Sequence, residues 1–405
     1  MSDLSSSSSS KNANMYRYLE GVKPDCCLAQ TMRISQVLDI PGADRIQAYV
    51  VGGWKCVAAK NAFKVGELVV YIRIGSVLDP EVSHWSFLEG YPLKTKKIRG
   101  VVSQGLIGPL DWISVYGMSE PLDYTLFPES ISCPDGSFSV SNIPENFDVT
   151  KFLHVRKYVE PDESNLYNSG SSSSSRSSSA LIPRPTFIPK TDAERVQNIT
   201  QQQWQELKGK TAWNTRKEDG TSATYWFNKE PDQSEHSDTQ DSKSPSNGEF
   251  GICSRNYLID REMKGQEHYK LMNQRFNIEH ELRSLNRSLA IQGEIVGPKI
   301  NGNRLQLIDY DFRVFGMWDI SRRCYLDPQE VWELCQKMKL NNVPIISNLT
   351  IGENEMSSDF WLQQAESQKY NKNVQAEGIV FMVHDQLRHM RFKAISNNYL
   401  LKHNL

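Results

Sequence analysis

"RKEDGTSATYW", residues 216–226, is the stretch on which the interpretation of this sequence depends. It places Lys217 two residues before an Asp-Gly pair, and a run rich in Thr, Tyr and Trp follows that is typical of a β-strand. Asp-Gly is also a common turn signal, so the stretch alone is equally compatible with a surface lysine before an ordinary turn. A lysine at its ordinary pKa, near 10.4, is protonated at neutral pH and cannot attack phosphorus. A nucleophilic Lys217 therefore needs partners elsewhere in the chain.

Such partners would be cations, which favour the neutral amine together with partial burial, and carboxylates that hold a metal ion at a phosphate. Candidates follow in order downstream, mostly in strand-like stretches: Arg255 in "FGICSRN", Glu294 in "IQGEIVG", Phe315 in "FRVFGMW", Glu377 in "EGIVF", and Arg391 and Lys393 in "MRFKAIS". A carboxylate in an apolar strand is costly to bury without a partner. Each residue also has an ordinary explanation, such as an ion pair for Arg255, a core position for Phe315 or a turn at Glu377-Gly378.

Length and composition set the class of protein. A chain of 405 residues with 39% hydrophobic and 23% charged residues is long enough for two globular domains. The formal net charge of −2 gives no global basic field, so contact with nucleic acid would depend on local patches. Seven cysteines at irregular spacing argue against a disulfide framework, and no apolar run indicates a signal peptide or a membrane span. We expect an intracellular protein, cytoplasmic or nuclear, without a membrane partner.

Serine tracts divide the chain. Residues 161–180 contain "NSGSSSSSRSSSA" and predict a linker, because such a tract cannot bury enough apolar surface to order itself. Residues 1–14 predict a disordered tail for the same reason. The predicted domains are therefore 15–160 and 181–405. A polar, acidic stretch at residues 229–247 predicts a disordered loop inserted between two strands of the second domain.

The first domain is patterned as a small β-barrel. "RIQAYVVGGWKCVAA" contains two apolar-rich strands joined by Gly52-Gly53, a strong hairpin signal, and further short strands follow with little helix. We expect an OB-like barrel, an architecture that commonly binds nucleic acid. Its basic stretch "KTKKIRG" carries the candidate phosphate contacts Lys94, Lys96, Lys97 and Arg99. A solvated edge strand is the alternative explanation for that run of charge.

The second domain contains both helical and strand periodicity. "PQEVWELCQKM" and "SSDFWLQQAESQK" have helical spacing, whereas "LAIQGEIVG" and "DYDFRVFGMWDI" have the pattern of strands. The expected fold class of the whole chain is therefore α+β, with an OB-like β-barrel followed by antiparallel sheets with packed helices.

The order of the candidate residues resembles that of the covalent nucleotidyltransferases, namely DNA ligases, RNA ligases and mRNA capping enzymes. Lys-x-Asp-Gly, Ser-Arg-Asn, Gly-Glu, an aromatic strand, Glu-Gly-Ile-Val and a terminal lysine strand match motifs I, Ia, III, IIIa, IV and V. Only twelve residues follow Lys393, and the OB-like block precedes the motifs. This arrangement is similar to the fifth family of ATP-dependent RNA ligases, which implies a nucleotidyltransferase (ATP-grasp-like ligase) domain at residues 181–405.

The resemblance implies a reaction. Lys217 would attack the α-phosphorus of ATP, expel pyrophosphate and hold AMP, which then passes to an RNA 5′-phosphate and is displaced by a 3′-OH. Asp219 and Glu377 would hold hydrated Mg²⁺, with Mn²⁺ as the alternative ion. Lys393 would bind the α-phosphate and lower the pKa of Lys217.

The resemblance also implies how the nucleotide is bound. Glu294 and Arg255 would contact the ribose hydroxyls, and Phe315 would stack on adenine. Arg195, in "KTDAERVQN", would reach the outgoing phosphates. Motif V is often Lys-x-Lys, whereas Arg391 occupies the first position here. Arginine keeps the charge but changes the geometry, so the role of Arg391 stays open.

The leading hypothesis is a monomeric ATP-dependent RNA ligase that seals nicked duplexes with an RNA 3′-OH end. The first alternative is a catalytically inactive nucleic-acid-binding protein on a ligase-like scaffold, which the presence of the lysine and both acids disfavours. The second alternative is a relative that uses DNA or GTP. Covalent labelling of the protein by ATP separates the leading hypothesis from the inactive scaffold.

Overall fold

A computed structural model of the chain describes residues 27–80, 85–116, 143–158, 182–229, 248–259, 265–384 and 389–405. The chain divides into two compact units, Met1–Ser174 together with Leu400–Leu405, and Ser175–Tyr399. The predicted tail at 1–14, the linker at 161–180 and all of the predicted insert except Lys229 lie outside the described residues.

The first unit is built on antiparallel strands. Its elements are β1 (Ala29–Asp39), β2 (Ile46–Val51), β3 (Trp54–Ala59), β4 (Leu68–Ile72), β5 (Ser76–Val77), β6 (Lys96–Ile98), β7 (Val101–Ser103), β8 (Leu106–Gly108), helix α1 (Asp111–Tyr116) and β9 (Arg156–Lys157). Five of the strands form one sheet in the order β3-β2-β1-β4-β8. The predicted hairpin is confirmed, because β2 pairs with β3 in register from Ile46–Ala59 to Val51–Trp54.

The sheet of the first unit curls until its edges meet. Near β3, the amide of Val57 donates to the Ser103 hydroxyl (3.0 Å), and the amide of Gln104 donates to the Lys55 carbonyl (2.8 Å). This closure makes a near-closed antiparallel barrel and confirms the OB-like prediction. Alternation along the strands buries Ile34, Tyr49 and Val69, among others, inside the barrel.

The basic stretch of the first unit forms the hairpin β6–β7. Arg99 adopts a left-handed conformation at its turn (φ 47°), followed by Gly100 (φ 86°). Lys96, Lys97 and Arg99 are exposed, and Lys94 is half-buried. Lys96 and Lys97 are adjacent on β6, so their side chains point to opposite faces of the hairpin.

The second unit contains two larger sheets. Its elements are β10 (Glu194–Arg195), α2 (Gln201–Leu207), β11 (Thr211–Lys217), β12 (Thr221–Lys229), β13 (Gly248–Cys253), α3 (Glu267–Phe276), α4 (Ile278–Ser284), β14 (Leu289–Val296), β15 (Asp311–Asp319), β16 (Cys324–Tyr325), α5 (Pro328–Met338), β17 (Asn341–Asn342), β18 (Ile345–Thr350), α6 (Ser358–Ser367), β19 (Lys369–Asn371), β20 (Val374–Gln375), β21 (Gly378–His384) and β22 (His389–Ile395). Helix α7 (Asn397–His403) begins in this unit, and its residues from Leu400 onward belong to the first. One sheet has the order β10-β22-β21-β11-β18, and the other runs β13-β12-β14-β15-β16, with β17 paired to β15.

The Lys-x-Asp-Gly motif is the crossover between these sheets. Lys217 is the last residue of β11 in the first sheet, and Thr221 begins β12 in the second. A Cβ at Gly220 would lie 2.3 Å from the Ile295 carbonyl oxygen, so the crossover passes too close to β14 for any side chain at that position. The close approach explains the glycine of the motif.

Helices cover the outer faces of both sheets. Helices α3, α4 and α5 pack on the sheet that contains β12 and β14, with Met272, Leu282 and Met338 fully or almost fully buried. Helices α2 and α6 pack on the other sheet through Trp204 and Trp361, and the Trp361 ring stacks on Phe381 of β21 (3.9 Å between centroids). These packed helices confirm the predicted α+β class. Strand β18, which pairs with β11, and helix α7 were not predicted from the sequence.

Two further features of the described residues bear on the predicted class of protein. Within the described ranges, the structure contains no helix with the length and apolar character that a membrane crossing needs. The described cysteines, namely Cys27, Cys56, Cys253, Cys324 and Cys335, are all free thiols.

Candidate active site

A cavity of about 150 Å³ lies between the two sheets of the second unit. Alternation along β21 and β22 turns Val380 and Met382, and Arg391 and Lys393, toward it, and β11 contributes Thr215, Arg216 and Lys217. The facing sheet contributes Ser222, Glu294 and Phe315, and loops add Thr191, Asp192, Ala193 and Arg255. Six residues predicted from the sequence therefore line one cavity: Lys217, Arg255, Glu294, Phe315, Arg391 and Lys393.

Lys217 is paired with Glu377. The lysine Nζ lies 2.7 Å from Glu377 Oε2, and both side chains are mostly buried. Glu377 precedes Gly378, whose φ of +152° and close approach to the Ala394 carbonyl oxygen, 2.1 Å from a Cβ placed there, exclude a side chain. Gly378 is the residue that pairs with Lys217 across the β11–β21 ladder. The two motifs are thus neighbours because their strands are neighbours.

The electrostatics of Lys217 differ from the sequence-based expectation, in which nearby cations favour the neutral amine. Burial disfavours the ammonium form, but the carboxylates of Glu377, Glu294 and Asp219 together outweigh burial and raise the pKa of Lys217 above its ordinary value. The acids therefore dominate and favour the ammonium form of Lys217.

Lys393 shows the opposite shift. Burial, followed by the charges of Arg195 and Lys217, lowers the pKa of Lys393 to about 8. Arg195 lies on β10, which runs parallel to β22 and pairs Arg195 directly with Lys393. The predicted residues Arg195 and Lys393 therefore lie side by side and concentrate positive charge, although only Lys393 lines the cavity.

Glu294 is also perturbed. It occupies β14 opposite Ser222 of β12, and both residues line the cavity. Burial raises the pKa of Glu294 to about 7; Lys217 opposes this shift, whereas Glu377 and Asp219 reinforce it. Among the residues that the structure describes, the buried Ser222 hydroxyl has no hydrogen-bond partner, which leaves this group for a ligand.

The raised pKa of Glu294 predicts a pH-dependent cost to stability. Because the folded pKa lies above the unfolded value near 4.3, stability is lost as the pH rises from about 4.5 through 7, and the cost is complete above that range. The neutral, isosteric variant Glu294→Gln should therefore raise the melting temperature at pH 8 by roughly 2–6 °C. At pH 4.5 it should have no such effect.

Thermal unfolding at both pH values measures this difference. Glu249→Gln, on the exposed edge strand β13, is the matched control and should leave the melting temperature unchanged at either pH. An equal change at pH 4.5 and pH 8 for Glu294→Gln, or destabilisation at pH 8, would contradict the assigned cost.

Asp219 does not line the cavity. Its Oδ2 accepts hydrogen bonds from Arg304 Nη1 (2.7 Å) and the Tyr399 hydroxyl (2.6 Å), and its Oδ1 accepts one from Asn301 Nδ2 (2.8 Å). Arg304 and Tyr399 also contact each other (2.6 Å). Both carboxylate oxygens are therefore engaged, and Asp219 acts on Lys217 through its charge. Its predicted role as a metal ligand stays a prediction.

Glu218, the variable residue of the motif, is almost completely buried. Arg216 Nε donates to its Oε1 (2.8 Å), and Arg313 Nη1 donates to its Oε2 (3.0 Å). Arg313 lies on β15, so this pair of charge-assisted bonds ties the crossover to the second sheet. Glu218 was not predicted from the sequence, because a carboxylate before Asp-Gly is indistinguishable from an exposed turn residue.

Arg391 lies at the end of the cavity far from Lys217. Its guanidinium is 5.2 Å from the Phe315 ring centroid and 4.7 Å from that of Tyr325, and its Nη2 donates to the Phe315 carbonyl (3.3 Å). Its Nε donates to His389 Nε2 (2.9 Å). Arg391 thus contacts the Phe315 ring through a cation–π interaction. A planar guanidinium makes this contact better than a lysine ammonium.

Arg255 is the most exposed of the cavity residues. It donates to Asp192, which also lines the cavity and was not predicted from the sequence. Because this is an ion pair at the cavity mouth, it is weak and could open for a ligand. A single aspartate in a loop carries no sequence signal that would have identified it.

The charges of the site suit a divalent cation with few protein ligands. Among the residues that the structure describes, no group of three or more His, Cys, Asp or Glu side chains is arranged to hold a metal ion. Three carboxylates nevertheless act on Lys217 from close range. Mg²⁺ commonly binds through one or two carboxylates and keeps several waters. Glu377, whose Oε2 contacts the cavity-lining Lys217, could hold such an ion, and its role as a metal ligand stays a prediction.

Comparison with known proteins identifies similar domains and structures. A family model of RNA ligases matches residues 210–395, and a model of an OB-fold domain matches residues 28–110. No curated protein matches the chain.

Solved structures of Naegleria gruberi RNA ligase are similar over nearly the whole chain. A lysine-to-alanine mutant with ATP and Mn is 30% identical, with a TM-score of 0.71, and the match covers 93% of this chain and 99% of that one. A glutamate-to-alanine mutant with AMP and Mn is 30% identical, with a TM-score of 0.72 and coverage of 94% and 99%. The enzyme with PPi is 31% identical, with a TM-score of 0.69 and the same coverage.

Proposed function

Because the chain belongs to the RNA ligase family, we propose that it is an ATP-dependent RNA ligase that joins 3′-OH and 5′-phosphate RNA ends through a lysyl-AMP intermediate on Lys217. The observation that carries this proposal is the cavity in which Lys217 contacts Glu377 (2.7 Å) and faces Glu294, Lys393 and Phe315. A nucleophile, acids and an aromatic ring along one cavity suit a nucleotide that is attacked at its α-phosphorus.

The strand register supports one orientation of the bound nucleotide. Lys217 ends β11, and Lys393 lies one side-chain step along, level with Thr215 and Val380. Arg391 lies two residues further along β22, where it contacts Phe315. An extended strand advances about 3.3 Å per residue. We therefore propose that the phosphates bind beside Lys217 and Lys393 and that the base stacks on Phe315, the ring that Arg391 contacts. Glu294, with Arg255 at the cavity mouth, lies between them, where the ribose would be.

The first step forms a bond between Lys217 Nζ and the α-phosphorus while the bond to pyrophosphate breaks. Lys217 must first lose a proton to solvent, and its pairing with Glu377 opposes that loss. A divalent ion held by Glu377 would neutralise the α-phosphate and take the carboxylate away from Lys217. Lys393, positively charged below pH 8, adds charge for the α-phosphate and disfavours the neighbouring ammonium of Lys217.

Two further transfers complete the reaction. The phosphorus–nitrogen bond to Lys217 breaks as an oxygen of the RNA 5′-phosphate attacks the AMP phosphorus, which regenerates the amine. A 3′-OH then attacks the 5′-phosphate and releases AMP. Both transfers depend on in-line positioning and charge neutralisation, so the same cationic end of the cavity serves all three.

Incubation with α-labelled ATP and Mg²⁺, followed by denaturing gel electrophoresis, tests the proposal. Prior treatment with pyrophosphate removes any AMP already bound, as the reverse of the first step. We expect a labelled protein band whose label transfers to RNA with a 5′-phosphate. The absence of a band after that treatment would favour the inactive, nucleic-acid-binding alternative.

We propose that residues 15–160 hold the RNA rather than the nucleotide, because the hairpin β6–β7 presents exposed basic residues on an OB-like barrel. Reversal of charge at Lys94, Lys96, Lys97 and Arg99 should leave lysyl-AMP formation within about two-fold of wild type. Sealing of a nicked duplex with an RNA 3′-OH end should fall by roughly ten-fold, and added salt should increase the loss.

Single-turnover rates of both reactions between about 50 and 200 mM salt measure this split. Charge reversal at Lys60 and Lys64, exposed lysines of the same unit, controls for a general change of charge and should have a smaller effect. Equal sealing by wild type and the hairpin variant would show that the hairpin does not bind RNA.

A further inference from the structure

Tyr370 connects the backbones of the two residues that meet in the active site. It lies on β19, in the short hairpin β19–β20. Its hydroxyl donates to the Lys217 carbonyl (3.0 Å) and accepts from the Glu377 amide (3.1 Å). One oxygen atom thus spans the main chain of Lys217 and that of Glu377.

The position of the hydroxyl follows from the end of the strand ladder. Strands β11 and β21 pair as far as Lys217 and Gly378, where the ladder stops. Beyond this pair, the chain after Lys217 crosses to the other sheet, so the next rung cannot form. The backbone groups of Lys217 and Glu377 that face each other here would otherwise need another partner, because unpaired buried polar groups are costly. The Tyr370 hydroxyl takes the place of the missing rung.

The Tyr370 ring is itself held in place. The Arg216 guanidinium lies over it, 5.2 Å from the ring centroid, and Arg216 Nη1 donates to the Lys369 carbonyl (3.1 Å). The Arg216 side chain is fixed in turn by Glu218.

We infer that Tyr370 is a positioning residue for lysine adenylylation, whose hydroxyl sets the spacing between Lys217 and Glu377. The inference rests on the proposed function. Tyr370 does not line the cavity, so it acts on the reaction through the two residues that it joins. Displacement of reacting groups by as little as about 1 Å can cost about 100-fold in rate, so a shared anchor for both backbones has a large effect on the chemical step.

The test is the variant Tyr370→Phe, which removes the hydroxyl oxygen and keeps the packed ring. Single-turnover formation of labelled lysyl-AMP is measured across a range of ATP concentrations. We expect the rate at saturating ATP to fall by roughly ten- to a hundred-fold. The half-saturating ATP concentration should change by less than about two-fold, because the cavity lining is intact.

Tyr225→Phe is the matched control. The Tyr225 hydroxyl is buried in the core of the same unit and donates to the Tyr269 carbonyl (2.8 Å), away from the cavity. Removal of this hydroxyl should lower the free energy of unfolding about as much as Tyr370→Phe does, and it should leave the adenylylation rate within about two-fold of wild type. Both variants are assayed well below their melting temperatures, and circular dichroism verifies that each is folded.

The outcomes are separable. If wild-type protein is not labelled, the proposed function fails before Tyr370 is tested. If wild type is labelled and Tyr370→Phe reacts within two-fold of it, the positioning role is wrong. The role is also wrong if Tyr225→Phe loses the same activity, or if the loss in Tyr370→Phe is one of ATP affinity.

Discussion

Replacement of Lys217 with alanine is expected to abolish labelling of the protein by α-labelled ATP, with a loss of at least about 10³-fold. Lys217 is the only lysine in a Lys-x-Asp-Gly setting, and its Nζ is the only amine placed against Glu377 among the described residues. Without that amine, no phosphoramidate can form at this position. The measurement is the amount of label retained by the protein after denaturation.

Lys217→Arg should fail as well, although it keeps the charge. An arginine side chain remains protonated at any usable pH, so it offers no neutral nucleophile. The comparison separates nucleophilic attack from charge, because a lysine that only bound phosphate would be replaced by arginine with partial activity. Lys208→Ala is the control: Lys208 is exposed and paired with Glu353 at the surface of the same unit, and its loss should leave labelling unchanged.

RNA that already carries AMP at its 5′ end tests the Lys217 variants for intact structure. Its sealing needs no lysyl-AMP, so Lys217→Ala should lose much less of this reaction than of adenylylation. Retention of covalent AMP by either Lys217 variant would show that another residue is the nucleophile. Equal loss of both reactions would instead indicate a damaged site.

Much of this site could be predicted because it depends on local pattern. Residues two apart on a strand share a face, so strand periodicity alone puts Thr215 with Lys217 and Arg391 with Lys393, and both pairs face the cavity. The crossover passes so close to β14 that only glycine fits at position 220, and this requirement makes the Asp-Gly pair recognisable in the sequence. The order of short motifs, most of them on separate strands, then indicates which strands meet.

The partners of Asp219 and the position of Tyr370 could not be predicted in the same way. Asp219 meets Arg304 and Tyr399 across 85 and 180 residues of sequence, and Tyr370 meets Lys217 across 153. A tyrosine in a short polar hairpin has no pattern that identifies its partner. Such contacts depend on how distant parts of the second unit pack, and strand periodicity carries no information about that packing.

The direction in which the pKa of Lys217 shifts could not be predicted from the sequence either. Its direction depends on the balance between burial and three carboxylates, and small changes in distance alter that balance. The sequence identifies all three carboxylates as candidates but not their distances from the amine. In the structure the three carboxylates outweigh burial, so the pKa of Lys217 is raised. Variants of Glu377 test what this carboxylate contributes to the reaction.

Glu377→Ala is expected to reduce lysyl-AMP formation by at least about 100-fold, and Glu377→Gln by a similar factor. Two effects act in opposite directions. Loss of the carboxylate removes the partner that raises the pKa of Lys217, which increases the fraction of neutral amine. It also removes the proposed ligand of the divalent ion, which leaves the charge of the α-phosphate uncompensated. We expect the second effect to dominate, because the uncompensated negative charge of the α-phosphate slows attack even when the Lys217 amine is neutral.

The pH dependence of adenylylation distinguishes the two effects. In Glu377→Gln the shape and hydrogen-bonding reach are kept while the charge is lost, so the pKa of Lys217 falls. If Glu377 only held the lysine proton, this variant would react faster than wild type near pH 7. If Glu377 holds the metal ion, the variant is slower at every pH, and raising Mg²⁺ restores only part of the rate. Glu353→Gln, which removes an exposed carboxylate from the Lys208 pair, should match wild type throughout. A faster Glu377→Gln enzyme would move the metal site away from Glu377 and leave this residue as the ion-pair partner of the nucleophile.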